Sequence, residues 1–448
     1  MHLSDHHRRR LTGLALAMAV AVAAAACASS HPGDGNKAAT APRTTAAPAS
    51  PTAASPSAAA ITPTPAARPA AVPAVQVSPA SAATTSRAAY SSNLASVSCP
   101  HGSWCMAVGS WSPSQQSPSR TLAEAWNGTS WQILATPDPA GSAASSLTSV
   151  SCTSATRCMA VGDHASGTFA EAWNGISWQI LTTPALPASS LTAVSCTTAA
   201  RCVAVGGYGT HALAEAWNGA SWQVLRTGNP AGTAASSLTS VSCTIAGRCM
   251  AVGYAAAANW LQGQLPIAEQ WNGASWQILP TPDPLPGQIN SFWSVSCSSA
   301  SHCMAVGGSE VNQGAGPLPS FAEAWNGSNW QLVKAANPPT GRRQLTGVSC
   351  TAAARCMAVG NSTSIEAAKG SGPYAETWNG TSWQLLTAPG PGSLANYGLG
   401  LAAISCANNA TCIAAGGFLT NPGRTSQSST LAEAWNGISW RVLQPLNP

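Results

Sequence analysis

The chain has 448 residues, of which 7% are charged, and a formal net charge of +5. Seven of its nineteen Lys and Arg residues precede residue 94, and from Leu94 onward twelve basic and twelve acidic residues cancel. A nucleic-acid binder needs a basic footprint for phosphate contacts, so that partner class is excluded. Fifteen cysteines and eighteen tryptophans point instead to a packed domain that folds in an oxidising compartment.

Residues 1–27 read MHLSDHHRRRLTGLALAMAVAVAAAAC, three arginines ahead of an apolar run from Leu11 to Ala26. That is the layout of a bacterial export signal, and the run is shorter than the roughly 20 residues a spanning helix needs. Its end, Ala24-Ala25-Ala26-Cys27, resembles the lipobox of bacterial lipoproteins. The resemblance implies that Cys27 is lipidated, becomes the N-terminus and anchors the chain to the outer face of the cell membrane. Cysteine arithmetic agrees, because the other fourteen fall into pairs and Cys27 is left over. The alternatives are conventional cleavage after Ala28, which would secrete the protein, and an uncleaved anchor.

Residues 28–90 are Ala, Pro, Ser and Thr with almost no large apolar side chains. Such a segment buries too little surface to offset its ordering entropy, so a disordered tether is expected.

From Leu94 the chain repeats seven times, with units starting near residues 94, 147, 191, 238, 292, 345 and 401. In the second unit LTSVSC (147–152), RCMAVG (157–162), TFAEAW (168–173) and ISWQIL (176–181) each have the length and residue types of a strand. An Asn-Gly pair, the hairpin signal, separates the last two, and it recurs at Asn127, Asn174, Asn218, Asn272, Asn326, Asn379 and Asn436. No helical period appears. Each unit is therefore expected to be a four-stranded antiparallel meander, with strands A to D.

One such sheet is marginal alone and must bury its faces on neighbours. Neither the first unit nor the last looks like a cap, which favours closure. The expected fold is all-β, a seven-bladed β-propeller of four-stranded antiparallel blades over 91–448, behind the signal peptide and linker.

The cysteine pairs are Cys99 with Cys105, Cys152 with Cys158, Cys196 with Cys202, Cys243 with Cys249, Cys297 with Cys303, Cys350 with Cys356 and Cys406 with Cys412, each spanning five residues between strands A and B. A zinc site wants four ligands and a redox motif C-x-x-C spacing, so local disulfide staples are expected, a hem at the constant end of each unit. The recurring phrase LTSVSC…RCMAVG…LAEAWNG-SW resembles the secreted and lipoprotein β-propeller repeat proteins of actinobacteria, of kelch or galactose-oxidase-like architecture, over residues 94–448. It implies the fold and leaves function open, since propellers host many activities.

Two tryptophans flank each Asn-Gly turn. A two-residue or a four-residue loop puts both on one face, as core against the next blade or as sugar-stacking platforms. A glutamate lies two before the first of them, at Glu124, Glu171, Glu215, Glu269, Glu323, Glu376 and Glu433. Seven equivalent carboxylates suit a structural role, half-buried and served by an indole or backbone N–H. The serine before each first cysteine is expected to be structural too.

Length varies only in the B–C and D–A connections, which lie at one end of the meander. Loops on a rigid scaffold are where binding concentrates. The unrepeated side chains there are Trp111, Tyr208, His211, Tyr254, Trp260 and Phe418, the candidate ligand-binding set, with His164, Glu310 and Glu366 nearby. No phosphate loop, zincin helix, EF-hand or nucleophile elbow occurs, so no catalytic residue, metal or cofactor is expected. The expected function is an extracytoplasmic binding or scaffold module, monomeric, that takes a protein or glycan on its variable rim and touches the membrane only through its lipid. The alternatives are a lyase or hydrolase at the mouth of the channel and a multivalent surface lectin.

Overall fold

The computed structural model describes residues 91–448 except 187, 246, 260–262, 312–318, 340, 364–371, 391–399 and 420–426. The expected signal segment with Cys27, the tether, Trp260 and Glu366 lie outside the described residues.

Among the described residues every regular element is a β-strand. The strands fall into quartets over 91–134, 145–181, 189–225, 233–279, 289–333, 342–386 and 401–443, here units 1 to 7. In unit 2 strand A is Ser145–Ser154, B is Arg157–His164, C is Gly167–Trp173 and D is Trp178–Leu181. They pair antiparallel in chain order, A with B, B with C, C with D. The other quartets repeat this order. Two single parallel bridges, Ser91 with Ser428 and Gln264 with Ile289, join neighbouring quartets.

The sequence explains the local geometry. Strand A bulges after its leucine, between Leu147 and Ser149 in unit 2. There it runs so close to strand B that a Cβ on Gly162 would lie 2.1 Å from the Ser146 carbonyl oxygen. Only glycine fits, which accounts for the last letter of the repeated AVG. At the C–D turn Gly175 has φ 96°, and Asn174 Oδ1 accepts from the Ile176 and Ser177 amides at 2.8 and 2.9 Å. The loop has four residues, and Trp173 pairs directly with Trp178. Their ring centroids are 5.7 Å apart.

Each A–B turn is closed by the expected disulfide. The bridges join Cys99 to Cys105, Cys152 to Cys158, Cys196 to Cys202, Cys243 to Cys249, Cys297 to Cys303, Cys350 to Cys356 and Cys406 to Cys412. They stand at the constant end of each unit, as expected, and they also reach into the core. The second cysteine of each pair opens strand B and points into the interior. Cys105 is buried with Leu94, Trp126 and Ile413 in the core between units 7 and 1, and Cys303 is buried with Met250, Phe292 and Trp325 in the core between units 4 and 5. The reason is register, since Cys105 lies opposite Trp126 and Cys303 opposite Trp325 on strand C, under the indoles.

The core lies between units, not within them. Met106, Val108, Ala123 and Ala125 of unit 1 pack on Leu147, Val150, Phe169, Trp173 and Trp178 of unit 2. Equivalent clusters join every later pair, and one joins unit 7 to unit 1 through Ile413, Ala432, Leu94 and Trp126. The indoles therefore cover the preceding unit, not the next one as the sequence suggests.

Strand A is an edge, and an edge leaves a row of unpaired N–H groups. The serine before each first cysteine meets this need in the neighbouring unit. The Cys152 amide donates to Ser98 Oγ, Cys196 to Ser151, Cys243 to Ser195, Cys297 to Ser242, Cys350 to Ser296, Cys406 to Ser349 and Cys99 to Ser405, all at 2.9–3.0 Å. Threonines add a second stitch, as where Thr148 Oγ1 donates to the Leu191 carbonyl at 2.7 Å.

Candidate functional site

The two ends of each unit differ in chemistry. At one end the A–B and C–D turns lie together, and Arg157 Nη1 ties them by donating to the Asn174 carbonyl at 2.9 Å. This is the disulfide rim. At the other end the B–C loop of one unit meets the connection into the next, as where the Ser145 amide donates to the Ser119 carbonyl at 2.9 Å. This is the variable rim.

The candidate ligand-binding side chains stand where strand B runs out on the variable rim. Trp111 is half-buried, and the Arg120 guanidinium lies 5.7 Å from its ring centroid. Tyr208 is 37% exposed and pairs with His211 across a tight hairpin whose Gly209 has φ 57°. Tyr254 is partly buried opposite Pro266. Phe418 is partly buried against the core between units 6 and 7.

Register shows an order that a plain reading of the loops misses. Two residues beyond the close-packed glycine of strand B stand Trp111 in unit 1, His164 in unit 2, Tyr208 in unit 3 and Phe418 in unit 7. Units 4, 5 and 6 have Ala255, Ser309 and Ser362 there, all buried. Ring side chains thus occupy four units that follow one another, 7, 1, 2 and 3. His164 packs edge-on against Phe169 at 5.9 Å and lines a groove of about 510 Å³ with Ile180, Pro184, Leu186 and Pro139.

All seven repeated glutamates have no exposed surface. Burial raises each carboxyl, to about 8 at Glu171 and Glu323 and to about 7 at Glu124, Glu215, Glu269 and Glu433. Backbone amides of the connection from the preceding unit oppose the rise. Glu376 accepts from the Ala336 and Asn337 amides at 2.9 Å, Glu433 from Gly390 and Glu124 from Leu446, both at 3.0 Å. The Gly228 amide approaches Glu269 without closing a full hydrogen bond. Both oxygens of Glu171, Glu215 and Glu323 have no partner. The nearby charges of Asp138 and Asp283 add to the rise at Glu171 and Glu323. The indole N–H groups of the strand-D tryptophans have no partner either, so backbone and not indole serves the glutamates.

Other features escape the motif reading. Trp293 occupies the repeated threonine position of strand A in unit 5 and is 39% exposed. On the disulfide rim, clefts of about 230, 200 and 130 Å³ open between units 6 and 7, 3 and 4, and 2 and 3. Each places an arginine of one unit beside a half-buried tryptophan of the next. The bridges of the adjoining units floor these clefts, with Cys202 and Cys249 in one and Cys356 and Cys412 in another. Cys105 and Cys303 line none of the three, though Cys303 lines a nearly closed fourth between units 4 and 5. No cluster of three or more His, Cys, Asp or Glu able to hold a metal occurs among the described residues.

Comparison with known proteins defines the class as a β-propeller. The structure superposes on an ulvan lyase of polysaccharide lyase family 25 bound to a GlcA–Rha3S saccharide with TM-score 0.53 at 9% identity, covering 80% of this chain and 97% of that one. The β-propeller domain of the trilobed protease of Pyrococcus furiosus matches at 0.47 and 8% over 81% and 99%. YCF48 bound to a D1 peptide matches at 0.47 and 11% over 78% and 94%. At such identities the likeness is one of fold. Propellers of this set include binding proteins and carbohydrate-active enzymes. No family and no curated protein matches the sequence.

Proposed function

We propose that the chain is an extracytoplasmic binding module, a closed seven-bladed β-propeller tethered to the outer face of the membrane through lipidated Cys27 and residues 28–90. It takes a protein partner on the variable rim. The observation that carries this reading is the run of Trp111, His164, Tyr208 and Phe418 at one register position in adjoining units. Aromatic side chains on a rigid frame are the anchors that dominate protein interfaces. Supporting a binding role over the lyase or hydrolase alternative, the raised carboxylates are spread one to a unit and sealed from solvent, whereas acid–base chemistry needs them gathered at a cleft. The disulfides and the export-type leader support an extracytoplasmic setting.

The test is photo-crosslinking in cells, with a benzophenone amino acid placed at Tyr208, at Phe418 or at Ile176, which is 88% exposed on the disulfide rim. A discrete protein adduct from Tyr208 and Phe418 but not from Ile176 is expected. Adducts from Ile176 alone, or none from any position, would overturn the reading. The tether is tested separately, since Cys27→Ser should move the protein from the membrane fraction to the medium.

A further inference from the structure

The clefts on the disulfide rim are one site built several times. Between units 3 and 4 the walls are Ser195, Thr197 and Arg201 on one side and Trp271 and Gly273 on the other. Between units 2 and 3 the equivalent residues are Ser151, Thr153, Arg157, Trp217 and Gly219. Between units 6 and 7 they are Ser349, Thr351, Arg355, Trp435 and Gly437. A fourth copy, with Arg248 between units 4 and 5, is almost closed at about 10 Å³. The difference lies in the tryptophan. Trp217, Trp271 and Trp435 are half-buried and line their clefts, whereas Trp325, the equivalent residue of unit 5, is buried, donates its indole N–H to the Ala300 carbonyl at 3.3 Å and does not line the closed copy.

Charge on this rim has one sign. The A–B and C–D turns carry Arg157, Arg201, Arg248 and Arg355 and not one Asp or Glu. The ion pair found among the described residues, Arg342 with Glu310, belongs to the opposite rim. The even charge balance of the domain therefore hides a segregation of carboxylates, which lie in the interior or at the other end and leave only cations in the turns of this rim, while further cations such as Arg120 and Arg342 stand on the variable rim.

We propose that the clefts between units 2 and 3, 3 and 4, and 6 and 7 are subsites for an acidic saccharide chain. Each takes one sugar ring, its apolar face against the indole and its carboxylate on the arginine fork. An indole offers a flat apolar face of that size. A guanidinium matches a planar carboxylate with two parallel hydrogen bonds. The hydroxyls of Ser195 and Thr197, and their counterparts, suit the polar edge of a sugar. Each cleft is smaller than the roughly 300 Å³ at which pockets begin to enclose drug-sized ligands, so one site alone is weak. Affinity comes from linkage, because a chain that spans the two clefts flanking unit 3 engages the second at high effective concentration. This inference does not rest on the protein contact proposed for the variable rim, and the two are read at opposite ends of the molecule.

The experiment is calorimetric titration of the full chain with oligogalacturonate, with maltooligosaccharide of the same length, and with polyphosphate or oligothymidylate of the same charge. Oligogalacturonate is expected to bind, long chains at least about tenfold more tightly than a trimer. Arg201→Gln with Arg157→Gln should weaken the long chain by about tenfold or more, while the melting temperature shows that the fold is kept. Trp271→Leu should weaken it as well, and Tyr208→Ala should leave it unchanged. The inference fails if oligogalacturonate does not bind. It also fails if the neutral oligosaccharide binds equally, if polyphosphate or oligothymidylate competes as well as the sugar acid, or if the arginine variants bind like the parent. Loss on Tyr208→Ala alone would also overturn it and would place the sugar on the variable rim.

Discussion

The Ala336 amide donates to Glu376 Oε2 at 2.9 Å, so the connection leaving unit 5 holds a carboxylate buried in unit 6. Ala336 is the third residue after strand D. The same position holds Pro137, Pro184 and Pro282 in the connections that lead to Glu171, Glu215 and Glu323. Proline has no N–H to give. Neither oxygen of these three glutamates is partnered; the same holds for Glu269, which Gly228 approaches without bonding, whereas Glu433, with Pro389 at this position, keeps one bond from the next amide, Gly390.

The raised carboxyls set the sign of the pH dependence. A glutamate lifted from 4.5 to about 8, as Glu171 and Glu323 are, keeps its proton in the folded state over a range where the unfolded chain has released it. Its contribution is present in full below the unfolded value and is lost as pH rises through the folded one. Stability should therefore fall from about pH 5 to about pH 8, by about 1.4 kcal/mol per pH unit for each glutamate titrating in that window. Denaturant unfolding across this range checks it. A Glu171→Gln, Glu323→Gln double variant should flatten the slope and be the more stable protein at about pH 8.5. A profile that rises with pH would contradict the assignment.

Restoring a donor should reverse the rise. Pro282→Ala places an amide where Ala336 has one, and the Glu323 carboxyl should titrate lower than in the parent by carbon-detected NMR. A hydrogen bond to a charged group contributes about 1.5–3 kcal/mol, against about 0.4–1 kcal/mol lost with the stiffness of proline. The variant should be more stable than the parent at about pH 8.5. Ala336→Pro should do the opposite to Glu376.

Strands, turns and disulfides were legible because each depends on residues close in sequence. The alternation of LTSVSC, the Asn-Gly turn and the six-residue cysteine separation carry their own geometry. That Cys105 and Cys303 sink into the core was not legible, because the units that cover them lie far along the chain. The serine before each first cysteine was visible as a repeat, but its partner is an amide one unit away, as with Ser98 and Cys152, so its purpose was not. The same holds for the candidate sites. Arg201 and Trp271 are seventy residues apart and meet only because units stack face to face. Trp271 and Trp325 hold the same position in the repeat, yet one stands half-buried at a cleft and the other is buried with its indole bonded to the A–B turn of its own unit, a difference that the repeat does not encode. The prolines facing Glu171 and Glu323 read as loop punctuation until the connection is seen lying over the next unit.

The disulfides should act locally. Each closes a loop six residues long, for which chain entropy gives about 2 kcal/mol. Cys152→Ala with Cys158→Ala should cost about that much and leave the rest folded, since the core between units 1 and 2 keeps Trp173 and Trp178. Non-reducing mass spectrometry of peptides should find each cysteine from Cys99 to Cys412 bridged to its neighbour six residues away. Bridges between units, or free dithiols, would contradict it.

The serine hydroxyls should matter more than surface serines usually do. Ser242 Oγ accepts from the Cys297 amide at 3.0 Å, on an edge strand with no further strand beyond it. Ser242→Ala strands that N–H, at a cost of about 1–3 kcal/mol for a buried unsatisfied donor and less where water can reach it. A neutral result would mean that water replaces the hydroxyl and that the stitch is decorative. Hydrogen exchange separates the two cases. If the hydroxyl holds the edge, the Cys297 amide should exchange faster in the variant by the full loss in stability, while the Cys196 amide, held by Ser151, keeps its parent rate. Two such changes in adjoining units, Ser195→Ala with Ser242→Ala, should then cost more than their sum, because both loosen the edges that flank unit 4.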